Sequence, residues 1–142
     1  MICPVCKKVA LIVEYDRIEL DYCPSCGGVW FDAGELELLM EAAGIGDHIG
    51  YLSNVAAAPE AATSEKKRKC PICRHKMRKT YIDEDKKVLV DVCHVGDGIW
   101  FDGGEVTQLI KEIAAKSPGK AASQGVLAFV GDMLKYQETG PK

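Results

Sequence analysis

The stretch Cys23-Pro-Ser-Cys-Gly-Gly-Val-Trp-Phe-Asp-Ala-Gly-Glu35 returns as Cys93-His-Val-Gly-Asp-Gly-Ile-Trp-Phe-Asp-Gly-Gly-Glu105. Trp, Phe, Asp, Gly and Glu recur in register at a shift of 70 residues. A repeat of this length marks two small units of one kind. Each copy follows an earlier pair of thiols, Cys3-Pro-Val-Cys6 and Cys70-Pro-Ile-Cys73. The copies differ at one decisive place: Gly96 stands where the first has Cys26.

In the first unit, Leu11, Val13 and Tyr15 alternate with Ile12 and Glu14, which predicts a strand. Asp16-Arg17 is the expected turn, and Ile18, Leu20 and Tyr22 alternate with Glu19 and Asp21 in a second strand. This hairpin brings Cys23 and Cys26 back to face Cys3 and Cys6. The pattern Cys-x2-Cys-x16-Cys-x2-Cys is that of a zinc ribbon, with four thiolates in a closed tetrahedral site. Gly27-Gly28 lets the backbone turn away from the metal. Asp32 and Glu35 have capping-box spacing, and Leu36, Leu38, Leu39 and Met40 supply the helix that follows. Trp30 and Phe31 are expected to cover the hairpin as a miniature core rather than form a recognition surface, because aromatics dominate small cores.

The second unit repeats the plan. Met77, Tyr81 and Ile82 belong to its first strand, 83–87 is a longer charged turn, and Val88, Val90 and Val92 carry the alternation. Its thiols are Cys70, Cys73 and Cys93. The fourth ligand is open: His94 is preferred as a nitrogen donor, followed by His75, Asp97 and water, and a metal-free unit is a further reading. Val106, Leu109, Ile110 and Ile113 predict an amphipathic helix to about residue 116. Beyond Ser117-Pro-Gly119, an apolar set within 126–134 predicts one more short helix, which docks within the chain or pairs two chains.

The chain has 142 residues, 47% hydrophobic and 27% charged, so its composition is globular. Units of about 40 to 50 residues bury too little surface to stand without a metal or disulfides. No signal peptide or apolar membrane span is legible, so the expected setting is the cytoplasm, and the seven Cys are read as reduced and metal-bound. The net charge of −3 argues against strong non-specific nucleic-acid binding. Lys66, Lys67, Arg68 and Lys69 form the only dense basic run, a candidate phosphate contact that also reads as a solvated linker end.

Both units resemble the prokaryotic zinc-finger family named after transcription factor IIB. The resemblance rests on Cys3-Pro-x-Cys6 with Cys23-Pro-x-Cys26-Gly-Gly-Val-Trp-Phe-Asp-x-Gly-Glu35. It rests equally on Cys70-Pro-x-Cys73, Cys93 and Gly98-Ile-Trp-Phe-Asp-Gly-Gly-Glu105. It implies a zinc-ribbon fold, with Cys3, Cys6, Cys23 and Cys26 as ligands, and Cys70, Cys73 and Cys93 likewise. Gly96 departs from the family pattern.

The expected architecture is a small metal-stabilised α+β protein of two tandem zinc ribbons, each a β-hairpin sheet plus a helix, with a C-terminal helix. Ribbon 1 spans 1–44, a linker 45–69, ribbon 2 70–116 and a helical tail 117–142. Zinc is the expected cofactor. The expected function is a non-catalytic binding module for a protein or a nucleic-acid–protein assembly, possessing exposed strand edges and Trp/Phe ends as contact surfaces. Direct DNA or RNA binding is one alternative. The other is metal handling or redox sensing through the incomplete second site. An open zinc position is the single feature that would suit an enzyme, and three thiolates would make its bound water a poor acid.

Overall fold

A computed structural model describes residues 1–15, 17–42, 60–61, 66–81, 88–105 and 108. Strands β1 (Leu11–Tyr15) and β2 (Ile18–Tyr22) form the predicted hairpin, with Tyr15 opposite Ile18. Along β2, Ile18, Leu20 and Tyr22 are buried while Glu19 is exposed, as the alternation requires. Val29–Asp32, β3, then pairs with β2, and α1 (Glu35–Ala42) packs against both. The second unit repeats this as β4 (Arg78–Tyr81), β5 (Leu89–Val92) and β6 (Gly98–Phe101).

The two units are not separate beads. All six strands make one antiparallel sheet in the order β1-β2-β3-β6-β5-β4. The central seam pairs Trp30 with Trp100, Val29 with Phe101 and Phe31 with Ile99. A shift of 70 turns Trp30 into Trp100 and exchanges the other two pairs, so a pseudo-two-fold axis passes between the tryptophans. The Trp-Phe segments are therefore central strands, a role the hairpin-plus-helix expectation did not include.

Period-2 geometry gives the seam two faces. On the α1 side lie Leu20, Tyr22, Val29, Phe31 and Phe101 with Leu36 and Leu39, all buried. Phe31 and Phe101 meet edge to face at 5.4 Å, worth about 0.5–1.5 kcal/mol beyond their burial. On the other side Trp30 and Trp100 pack with Met77 and the buried cysteines Cys3, Cys23, Cys70 and Cys93. Each indole N–H donates to the carboxylate two residues on, Trp30 to Asp32 at 2.9 Å and Trp100 to Asp102 at 3.0 Å. The aromatic pairs are thus core, and they are not the contact ends that the expected function gave them.

The tryptophans also cross over. A Cβ on Gly28 would collide with the Trp100 ring, and one on Gly98 would lie 2.6 Å from Trp30 Cζ2. Each unit's indole therefore lies over a glycine of the other unit.

The capping box is realised on one side. Asp32 N–H donates to Glu35 Oε1 at 3.0 Å, but Asp32 Oδ1 accepts from Trp30. The helix starts at Glu35, after the Ala33–Gly34 turn, so its first bond runs from Leu38 N–H to Gly34 O at 3.2 Å. In the second unit, Lys79 and Asp91 form a buried ion pair at 3.0 Å across β4 and β5. The predicted helix to residue 116, except Glu105 and Gln108, lies outside the described residues, as do the tail 117–142 and the 126–134 dimer element. No helix among the described residues is long and apolar enough to cross a membrane.

Candidate metal centres

Two matched turns build each centre. In the first unit, Cys3 N–H donates to Lys8 O at 2.8 Å and Lys7 N–H to Cys3 O at 3.1 Å. In the second, Cys70 N–H donates to His75 O at 2.8 Å and Arg74 N–H to Cys70 O at 2.9 Å. Lys7 and Arg74 close these turns in the left-handed region, at φ of 64° and 66°. The backbone also points N–H groups at sulfur: Val5 and Cys6 donate to Cys3 Sγ at 3.4 and 3.5 Å, and Ile72 to Cys70 Sγ at 3.4 Å. Such donors stabilise thiolate charge.

Cys3, Cys6, Cys23 and Cys26 place their sulfurs within 4.8 Å of one another. The Cys3–Cys26 separation is 3.7 Å and the Cys6–Cys23 separation 3.3 Å. A tetrahedral zinc with bonds of about 2.3 Å sets its sulfurs about 3.8 Å apart, so this set suits zinc. Burial pushes the Cys3 thiol up to about 11 and raises Cys26 as well. Burial also acts on Cys6, but the Lys8 N–H and the Cys23 and Cys3 thiols outweigh it and bring Cys6 to about 7. Loading zinc therefore has to release protons from buried thiols.

In the second unit, Cys70, Cys73 and Cys93 converge with Asp97. Asp97 Oδ2 lies 3.6 Å from Cys70 Sγ and 3.4 Å from Cys93 Sγ, and Cys73 Sγ lies 3.6 Å from Cys93 Sγ. One oxygen bond of about 2.0 Å and one sulfur bond of about 2.3 Å give an O···S edge of about 3.5 Å at a tetrahedral centre. This donor set also fits zinc. His94 is not at the fourth corner. It is exposed, and its ring meets the ring of His75 at 5.6 Å.

A shift in the turn explains how Asp97 reaches the site from one residue beyond the position of Cys26. In the first unit, Gly27 follows the fourth ligand, takes φ 79° and donates to Cys23 O at 2.8 Å. In the second, the left-handed residue is Gly96, at φ 89°, which donates to Cys93 O at 3.1 Å. The turn closes one residue sooner, so the next side chain faces the metal corner. Both loops still end on the same bond, Cys23 N–H to Gly28 O and Cys93 N–H to Gly98 O. The first unit also holds the Asp97 backbone, because Ala33 N–H donates to Asp97 O at 3.1 Å.

A transcription factor zinc-finger family model, a zinc ribbon of the transcription factor IIB type, matches residues 2–42 and 69–112, more than half of the chain. The chain belongs to that family. No curated protein and no solved structure matches it. With two donor sets in a zinc-ribbon family chain, zinc is the cofactor these sites support.

The basic run is divided in its contacts. Lys67 pairs with Glu60, Arg68 O accepts from Met77 N–H, and Lys69 bridges to Lys76. Lys66 is exposed. Lys69 also lines an open cleft of about 480 Å³ between the two knuckles. Its walls pair up across the pseudo-two-fold: Cys3 with Cys70, Pro4 with Pro71, and Lys7 with Arg74. Lys7 and Arg74 belong to none of the motifs singled out in the sequence. The available signal was a basic residue directly after the second Cys in both units.

Proposed function

We propose that this zinc ribbon protein is a non-catalytic binding module for a protein or a nucleic-acid–protein assembly, with zinc holding its shape. One observation carries the reading: each metal centre offers four protein donors, so neither needs a water or a substrate to complete a tetrahedron. A fourth donor at Asp97 also weighs against a metal-handling or redox role for the second site. The fused sheet gives a rigid body, and the cleft with Lys7, Lys69 and Arg74 gives it a basic end despite the net charge of −3. The family description points the same way, towards transcription.

The test is affinity capture on the zinc-loaded chain, with and without nuclease, beside a Lys7→Glu/Arg74→Glu variant. A defined protein set retained after nuclease and lost in the variant is the expected result. Hydrolytic turnover by the loaded chain that stops on chelation would overturn it. Direct nucleic-acid binding is the second reading, supported by the basic run Lys66, Lys67, Arg68 and Lys69, of which Lys69 lines the same cleft. It requires affinity that falls steeply between 50 and 200 mM salt, by about 10³-fold for several phosphate contacts. Fluorescence anisotropy with a labelled duplex and a labelled single strand reads this directly.

A further inference from the structure

The sheet has two ends, β1 and β4, and the repeat makes them equivalent. Ile12 lies opposite Asp21 as Lys79 lies opposite Asp91. At the β4 end the chain covers its own edge: Ala61 N–H donates to Lys79 O at 2.8 Å, and Lys79 is 2% exposed. The outward carbonyl of Lys79 fixes the orientation of its counterpart, so the N–H and C=O of Ile12 also point away from β2. Just before β1, Met1 O accepts from the outward Ala10 N–H at 2.9 Å and Ile2 bridges to Val9, but from Leu11 to Tyr15 no described residue bonds the outward side. Ile12 is 67% exposed, and Val9 and Leu11 beside it are 66% and 49% exposed. An open apolar edge is a template for another strand.

The side chains define what would fit. Glu14 lies directly opposite Glu19, an arrangement that costs stability, and Asp21 is next along the ladder. The same positions of the second unit hold Tyr81 opposite Leu89 and Lys79 opposite Asp91. So the covered end is internally balanced. At the β1 end, Glu14, Glu19 and Asp21 have no ion pair among the described residues, and the N-terminal ammonium acts on Asp21 only through space.

We propose that the outward edge of β1, unbonded from Leu11 to Tyr15 among the described residues, takes an extended basic segment of a partner protein as an added strand. Its backbone bonds Ile12, its apolar side chains cover Leu11 and Val13 on one face, and its Lys or Arg residues face Glu14 and Glu19 on the other. In this mode main-chain bonds supply affinity and alternate side chains supply specificity. A second copy of this chain would bring its own Glu14 to the seam and is the poorer occupant. The proposal rests on the binding-module reading, but its site is distinct from the cleft between the knuckles.

The test titrates the full, zinc-loaded, isotope-labelled chain with a peptide of alternating Lys and Val, and with its Glu-for-Lys counterpart. Expected are amide shift changes and slowed hydrogen exchange at residues 11–15 with the basic peptide alone. Ile12→Pro should abolish them, because proline at an outward edge position removes the outer donor and spares the β1–β2 ladder. Glu14→Lys/Glu19→Lys, which needs no backbone change, should weaken the basic peptide about tenfold and admit the acidic one. Equal binding of both peptides, or no response at 11–15, would overturn the proposal. Concentration-dependent shifts there without peptide would overturn it in favour of a second copy. Shifts confined to Met1, Lys7 and Arg74 would overturn it too, while leaving the binding-module reading in place.

Discussion

Asp97 does with one carboxylate what the first unit does with a thiol, and it does so because Gly96 turns the chain early. Asp97→Ala should lower the zinc content from two ions to one, whereas His94→Ala should leave two; elemental analysis of metal-loaded protein separates the cases. Cys3, Cys6, Cys23 and Cys26 could be placed from spacing alone, since two Cys-x-x-Cys turns joined by a hairpin have one way to meet. Asp97 ranks below the histidines on donor chemistry, because sites mixing three thiolates with a carboxylate are unusual, and the early loop closure moves the fourth donor out of the Cys-x2-Cys position to Cys-x3-Asp. Gly96 itself is the mark of that closure, a glycine moved one place forward. Glu35 gives a second prediction at this scale. Burial, then the neighbouring Asp32 and Asp21, hold its carboxyl at about 7 against an ordinary 4.5. A carboxyl held above its unfolded value binds its proton more tightly in the folded state, so this term favours folding at low pH and is lost as pH rises towards 7. The melting temperature of the parent relative to Glu35→Gln should therefore fall from pH 5.5 to 8.

The hairpins were legible as elements because β2 alternates cleanly between Ile18, Leu20, Tyr22 and its two acids. The central strands were not. Val29-Trp-Phe-Asp is four residues long with apolar side chains on both faces, Trp on the metal face and Phe on the α1 face. A strand buried on both sides shows no alternation to read. Its fit to the neighbouring unit is tight enough to test. Gly28→Ala should cost about 1–3 kcal/mol by pushing on the Trp100 ring, with a lower melting temperature and a shifted tryptophan emission. The β4–β5 pair has its own test. Lys79→Met leaves Asp91 buried without its cation, and should destabilise the fold by about 3–5 kcal/mol in a denaturant titration.

For the whole molecule, two ribbons on a flexible linker would gain avidity by reaching separate sites. A single sheet instead fixes the spacing of their knuckles and creates a cleft that neither ribbon has alone. It also ties their stabilities together. Chelating zinc should unfold both halves in one transition, with far-UV circular dichroism and tryptophan emission tracing the same curve; two resolved steps would show that the seam is weak. The seam carries one more consequence. It joins two halves of a single chain, yet nothing in the pairing of Trp30 with Trp100 requires both strands to come from the same polypeptide. Shortening the connection between α1 and Cys70 until it cannot span the seam would leave every contact available between molecules. The product would be a domain-swapped dimer, with each chain's first half closed on the second half of its twin.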